Sequence, residues 1–297
     1  MINSIKSILD KLEYKIDDED KRLSEFFKEN GYCIIPKSDF VHENIDEFRN
    51  IVDDLLKKES WRGGWEGKEE YMKYKKDFQV GAYRLGNLFN KQKLFLKLLT
   101  ERNILNVTYG ILKDDIKIGS LDLREPKKSK GSQDFHIDWL PKKNPDDPIE
   151  NIVCFIFLDD STKENGSIRV VPKTQRKTGW INENLDDLSQ HPDEITLEVN
   201  KASIVLMDAN IWHSGTTNAN GKRRRVLFLD IRRRNIPQLL NQRIYLGEET
   251  QNSLSEIEKF LLGVRDNDLI FEERVSTAGN AYRKQFNVLD NNYGKNY

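Results

Sequence analysis

The sequence predicts a mainly β fold with flanking helices, an antiparallel sandwich or jelly roll. Three observations predict it. Through the first part of the chain, up to about residue 103, apolar side chains recur at helical spacing. From about residue 104 the pattern changes to eight or so short apolar runs divided by turn signals, with no helices between them. That order favours antiparallel sheets over alternating βαβ units. Finally, 297 residues with 14 Phe, 10 Tyr and 5 Trp can fill a sizeable core, even with 33% of the chain charged.

The elements follow in order. Ile5, Ile8, Leu9 and Leu12 share one helical face. Leu23, Phe26 and Phe27 mark a second helix, which Gly31 can end. Tyr32 to Pro36 reads as a short strand. Ile45, Phe48, Ile51, Val52, Leu55 and Leu56 make the clearest amphipathic helix. The stretch 61–76 is aromatic and charged with three glycines, and reads as a surface loop. Leu94, Phe95, Leu98 and Leu99 mark one more helix. Strands are expected over 107–112, 116–124, 135–139, 151–158, 167–171, 195–199, 202–207 and 223–231. Glu164-Asn-Gly166, Asn200-Lys201 and 218–221 supply turns between them. Leu254, Ile257, Phe260 and Leu261 form a late helix that Gly263 can end. There is no internal repeat and no linker rich in Pro, Gly or Ser. The expectation is a single domain over 1–297, with a helical part to about 103, a jelly-roll core over about 104–234 and a helical segment over about 235–297.

Composition excludes several functions. Lys+Arg number 48 against 49 Asp+Glu, so the strong basic excess of a general nucleic-acid binder is missing. Cys33 and Cys154 are too few for a disulfide scaffold or a four-cysteine zinc site. The longest apolar run, 152–158, is far short of the ~20 residues of a membrane helix. The first residues lack an uninterrupted apolar stretch, so no secretory signal is read there and a cytoplasmic location is expected.

Two of the four histidines carry the chemistry. His136 and Asp138 are two apart in a strand-like stretch, so they project to one face. His213 follows a predicted strand downstream. Two His and one carboxylate form a facial triad, which leaves open positions on a ferrous ion. A second His-x-Asp, His191-Pro-Asp193, lies in a polar stretch, and Pro192 cannot donate to a sheet ladder; His191 reads as a surface turn residue. His42 reads as surface, at a helix start. In the predicted strand 223–231, Arg224, Val226 and Phe228 share one face and Arg223 and Arg225 the other. If Val226 and Phe228 face inward, Arg224 does too, with Arg225 the alternative under a one-residue slip. An inward Arg is costly unless it meets a carboxylate. A dicarboxylate cosubstrate chelating the metal would supply one.

Several motifs then stand in sequence: Phe26-Phe27-Lys-Glu-Asn-Gly31-Tyr-Cys-Ile-Ile-Pro36, His136-x-Asp138, Leu158-Asp-Asp160, and Glu164-Asn-Gly-Ser-Ile-Arg-Val-Val-Pro172. Trp212-His213, Asn218 and an Arg eleven residues past His213 complete the set. In this order they resemble the phytanoyl-CoA dioxygenase family of Fe(II)- and 2-oxoglutarate-dependent oxygenases, from roughly Leu23 to Arg234. The resemblance implies a double-stranded β-helix, a cupin-like jelly roll. It implies iron on His136, Asp138 and His213, and Arg224 on the distal carboxylate of 2-oxoglutarate. It implies molecular oxygen and a small-molecule substrate as partners, with release of succinate and CO2. Related halogenases lack the carboxylate, so Asp138 points to hydroxylation, of an unactivated C–H bond in a small metabolite or carrier-linked substrate.

There are departures from the family pattern. Pro172-Lys-Thr-Gln175 replaces a Pro-Gly-Ser-His. Gly215 replaces a Ser that assists the Arg, with Ser214 and Thr216 beside it. The stretch 120–133 does not align, and no residue there is assigned. Trp139, Tyr83 and Arg84 are further candidates for the pocket. The clusters 223–225 and 232–234 read as solvated surface ahead of a phosphate site for a CoA thioester or nucleotide. Segments 61–78 and 173–194 are candidate lids. The competing readings are a non-catalytic jelly-roll binding module and a cupin-like metal enzyme that does not use 2-oxoglutarate.

Overall fold

A computed structural model describes residues 2–59, 81–238 and 240–264. The expected loop 61–76 lies outside them, as do segment 61–78 and the end of the chain. Two opening helices, α1 (Ile5–Lys11) and α2 (Asp18–Asn30), are each fixed by a capping box, on Ser4 and on Asp17. Gly31 ends α2 in the left-handed region, at φ 83°. A Cβ there would also lie 2.6 Å from Gln175 Oε1, so the position needs glycine twice over. Strand β1 (Tyr32–Ile35) leads into α3 (Asp39–Glu43) and α4 (Ile45–Glu59), then β2 (Ala82–Leu85) and α5 (Lys93–Leu96).

The predicted strand 107–112 is instead part of a helix, α6 (Arg102–Leu112). Glu101 caps it, accepting from Ile104 N at 2.7 Å. Its buried residues Ile104, Leu105, Thr108, Ile111 and Leu112 follow helical spacing, and tertiary burial overrides the β preference of Val107-Thr-Tyr. The jelly-roll strands therefore begin later than residue 104. They are β3 (Ile116–Pro126), β4 (Asn151–Phe157), β5 (Ile168–Val171), β6 (Ile195–Leu197), β7 (Ile204–Asp208), β8 (Trp212–Gly215) and β9 (Val226–Arg233). The predicted strand 135–139 is reduced to a single bridge, His136 to His213. The late helix is split at Leu254 into α8 (Glu248–Ser253) and α9 (Glu256–Leu261), after a short α7 (Gln242–Tyr245). Ser255 restarts the chain with its own capping box.

All pairings between named strands are antiparallel. A large sheet runs β1-β7-β4-β9-β3-β2 and a small one β6-β5-β8. With the 136 bridge added to the small sheet, this is a jelly roll. Alternation divides β4, β7 and β9 of the large sheet into two faces. Ile152, Cys154 and Ile156 of β4, Ile204 and Leu206 of β7, and Leu227, Leu229 and Ile231 of β9 pack outward against the helices. Val153, Phe155, Phe157, Val205, Met207 and Val226 pack inward, between the sheets. The inward face carries the site.

Candidate active site

A cavity of about 260 Å³ lies between the sheets. His136, Asp138 and His213 line it, with their ligating atoms within 4.8 Å of one another. His213 comes from β8, and the backbone bridge from His136 to His213, at 3.0 and 3.1 Å, locks the two segments together. Asp138 N donates to Ala209 O at 2.7 Å and fixes the carboxylate's base. Each imidazole is oriented by its own chain. His136 Nδ1 lies 2.8 Å from Asp134 O, and His213 Nδ1 lies 3.0 Å from Ile211 O. A carbonyl can only accept, so each Nδ1 carries the proton and each Nε2 keeps its lone pair for a metal. Asp138 stands 3.3 Å from His213 Nε2 and 3.8 Å from His136 Nε2. Burial pushes the Asp138 carboxyl up, but the neighbouring His213 and then His136 outweigh it and hold it at about 2. Burial pushes His213 down, but Asp138 outweighs that and raises it. His136 is lowered, by burial and then by His213. A nitrogen pair and an ionised carboxylate at this spacing suit a divalent cation.

Arginines line the same cavity. Arg224 is 1% exposed, and its Nε and Nη1 are shielded from solvent with no partner. Burial lowers it to about 10. Its neighbours are spent elsewhere. Arg223 holds Glu125 at 2.6 Å and Asp53 at 2.8 Å, and Arg225 holds Asp159 at 2.8 Å and Asp53 at 3.1 Å. Arg224 thus lines the cavity, as alternation predicts, and Arg225 does not. The two clusters 223–225 and 232–234 are not simply solvated: Arg224 and Arg232 are buried and line the cavity.

Sequence reasoning missed Arg124. It is buried, donates to Gly131 O at 2.8 Å, and leaves Nε without a partner. Burial, then the charges of Arg84 and Arg224, lower it to about 9. A Cβ on Gly215 would lie 3.2 Å from Arg124 Nη1, so glycine at the departing position admits this guanidinium. Ser214 and Thr216 give their hydroxyls to Gln133 O and Ser167 O. The signal for Arg124 was the alternation of β3, in which Leu121 and Leu123 face the helices and Ser120, Asp122 and Arg124 face the cavity.

The other candidates separate cleanly. Arg84 lines the cavity, whereas Tyr83 is exposed under Lys127. Trp139 does not line it; its ring stacks on Arg232 at 4.6 Å and its N–H donates to Glu150. His191 lies in a turn, its Nδ1 accepting from Asp193 N, and His42 is exposed.

A family model described as phytanoyl-CoA dioxygenase matches residues 27–226. The chain belongs to the phytanoyl-CoA dioxygenase family. It is an Fe(II)- and 2-oxoglutarate-dependent oxygenase with a jelly-roll fold. Similar solved structures include HygX from Streptomyces hygroscopicus with nickel and 2-oxoglutarate bound, at TM-score 0.58 and 13% identity, covering 73% of this chain and 88% of that one. EctD from S. alaskensis with bound Fe aligns at TM-score 0.58 and 14% identity, over 74% and 80%. SnoK, an alpha-ketoglutarate-dependent carbocyclase from nogalamycin biosynthesis, aligns at 0.55 and 16%, over 78% and 87%. Among curated protein sequences none matches the chain. Among the described residues of this dioxygenase-family chain, no helix is long and apolar enough to cross a membrane.

Proposed function

We propose that this oxygenase hydroxylates an unactivated C–H bond of a small metabolite, with His136, Asp138 and His213 holding ferrous iron and Arg224 the far carboxylate of 2-oxoglutarate. One observation carries the reading: a preformed His/Asp/His cluster shares its cavity with a buried guanidinium that has two unpartnered nitrogens. A buried charge left unpaired is expensive, so the fold retains Arg224 for an anion that is bound there. Arg124 and Gln133, both beside Gly215, line the same cavity. A plain binding module or a metal enzyme without 2-oxoglutarate has no use for Arg224 in that state.

When bound, iron and 2-oxoglutarate supply the oxidising power, consuming oxygen and releasing succinate and CO2. The chain's own residues do the positioning. The two Nδ1–carbonyl bonds aim both imidazoles. Asp138 stays ionised. His213 keeps its Nδ1 proton on Ile211 O, so its Nε2, 3.3 Å from Asp138, is the nitrogen that would hold the cation beside that carboxylate. Val153, Phe155, Ile168, Val226 and Phe228 make the intervening wall dry. The partner is a small molecule and not nucleic acid or membrane, in keeping with the net charge of -1. The buried free thiols Cys33 and Cys154 favour a reducing, cytoplasmic setting. We read residues 1–297 as a single domain, because the helices share one core with the outer face of the large sheet.

Anaerobic addition of Fe(II) and 2-oxoglutarate is expected to give a visible metal-to-ligand charge-transfer band. His136→Ala and Asp138→Ala should each abolish bound iron, the band and succinate formation. Wild-type protein that binds iron yet shows no band would sink the cosubstrate assignment.

A further inference from the structure

Arg124 carries a buried charge that the described residues do not neutralise. Its one hydrogen bond among them goes to a carbonyl, from Nη2 to Gly131 O at 2.8 Å. Nε is shielded from solvent without a partner. That leaves Nη1 to face the cavity that Arg124 lines. Nη1 is also the atom that a Cβ on Gly215 would meet at 3.2 Å, so it lies against the bare backbone of that glycine. Gly215 stands two residues past His213 on β8, on the same face. Asp122, two residues before Arg124, is turned to Asn87 N and Ser120 Oγ instead.

Register sets Arg124 beside Arg224. Arg124 is the Cα partner of Val226, the first residue of β9, and Arg224 stands two residues earlier. The two chains still run side by side there, because Arg223 Nε holds Glu125 at 2.6 Å. Arg124 and Arg224 are therefore diagonal neighbours on the inward face, at a Cα separation of roughly 7–8 Å, within reach of long side chains. Each feels the other. Burial first, then the charges of Arg84 and Arg224, hold Arg124 down at about 9. Arg224 has Nε and Nη1 shielded, so its Nη2 is the nitrogen that meets the cavity. Like charges buried side by side destabilise one another unless an anion stands between them.

We propose that Arg124 is a second anchor of the cosubstrate, its Nη1 donating to the same distal carboxylate that Arg224 holds, in the space left by the missing side chain of Gly215. The proposal rests on the oxygenase reading above and adds a residue to its cosubstrate site. An ionised carboxylate has two oxygens and about four lone-pair sites, enough for a donor from each guanidinium. Its charge offsets the repulsion between them. The glycine and the arginine form one device. A Cβ at 215 would stand 3.0 Å from Gln133 Oε1 and 3.1 Å from Gly131 O as well as against Nη1, so the bare residue on β8 admits the long one from β3.

The test compares 2-oxoglutarate with 2-oxopentanoate, which has the same chain length and chelating head but no distal carboxylate. Both are titrated anaerobically into the Fe(II)-loaded protein, and affinity is read from the charge-transfer band. Wild type should prefer 2-oxoglutarate. Arg124→Met should weaken 2-oxoglutarate about tenfold or more and leave 2-oxopentanoate within about twofold, so that the preference itself collapses. A merely structural role would weaken both acids alike. Gly215→Ala keeps the arginine but crowds its Nη1, and should lower the preference in the same direction; it decides the matter if Arg124→Met does not fold. A preference that stays within about twofold of wild type in both variants, whether the two acids weaken together or not at all, would overturn the proposal and leave the oxygenase reading standing. A wild type that binds iron and gives no band with either acid counts against the cosubstrate reading, and this proposal falls with it.

Discussion

Arg224→Met is the sharpest probe of the anion pocket, because it should move stability and affinity in opposite directions. Arg224 is 1% exposed and two of its nitrogens have no partner. Burial lowers it from 12.5 to about 10, which corresponds to roughly 3 kcal/mol against the charged form. Methionine keeps length and flexibility without charge. Ligand-free Arg224→Met should therefore be more stable than wild type, by ~1–3 kcal/mol. Removing a hydrogen-bonded charge pair to 2-oxoglutarate should cost ~2–4 kcal/mol of binding, a rise in Kd of roughly 30- to 1000-fold. Urea denaturation with and without Fe(II) and 2-oxoglutarate measures both effects: the cosubstrate should stabilise wild type and hardly move the variant. Arg225→Met is the control. It leaves the buried Asp159 with Arg49 alone and should lose stability in every condition. A ligand-free Arg224→Met protein that is less stable than wild type by about 1 kcal/mol, or that binds 2-oxoglutarate within about threefold of wild type, would refute the reasoning.

Two further expectations concern the fold. Asp208 is fully buried with Oδ2 unpartnered, and burial raises it from 3.8 to about 6. Its folded value lies above its unfolded one, so wild type should lose ~3 kcal/mol as pH rises from about 4 to about 6, and Asp208→Asn should remove that slope, as paired denaturation curves at about pH 4 and about pH 7 would show. Gly31→Ala places a Cβ at φ 83° and 2.6 Å from Gln175 Oε1, and should cost ~1–2 kcal/mol or more, read as a fall in Tm; Gln175→Ala in that background should relieve the clash but not the backbone strain.

Much of the site was legible because alternation is a local rule. Val226 and Phe228 are apolar enough to declare the inward face of β9, and Arg224 follows from counting back by two. His136 and Asp138 were legible by the same count, although their segment makes one bridge and no ladder. Arg124 obeys the rule on the second half of β3, but the register shifts between Ile118 and Leu121, so a count by twos from Ile116 and Ile118 puts it on the helix face instead of the cavity face. The helix over Arg102–Leu112 was misread for the opposite reason. Its periodicity starts at Ile104, and a window opened at Val107 shows β-branched and aromatic residues without their helical partners. Where a neighbour in space decides, as with the Arg223 and Arg225 ion pairs, single-sequence spacing holds no signal.

The inward row just before and along β9 runs Arg224, Val226, Phe228, Asp230, Arg232. On the proposed reading Arg224 marks where the cosubstrate ends, and the row beyond it is a ruler laid along one extended backbone. Val226 and Phe228 stand about 7 and 13 Å from that mark. Leu227, Leu229 and Ile231 on the other face are clamped to the helices. Exchanging an inward side chain therefore changes what stands at a set distance from the cosubstrate while leaving the outward face untouched, and the pocket can be recut in evolution with no loop rebuilt.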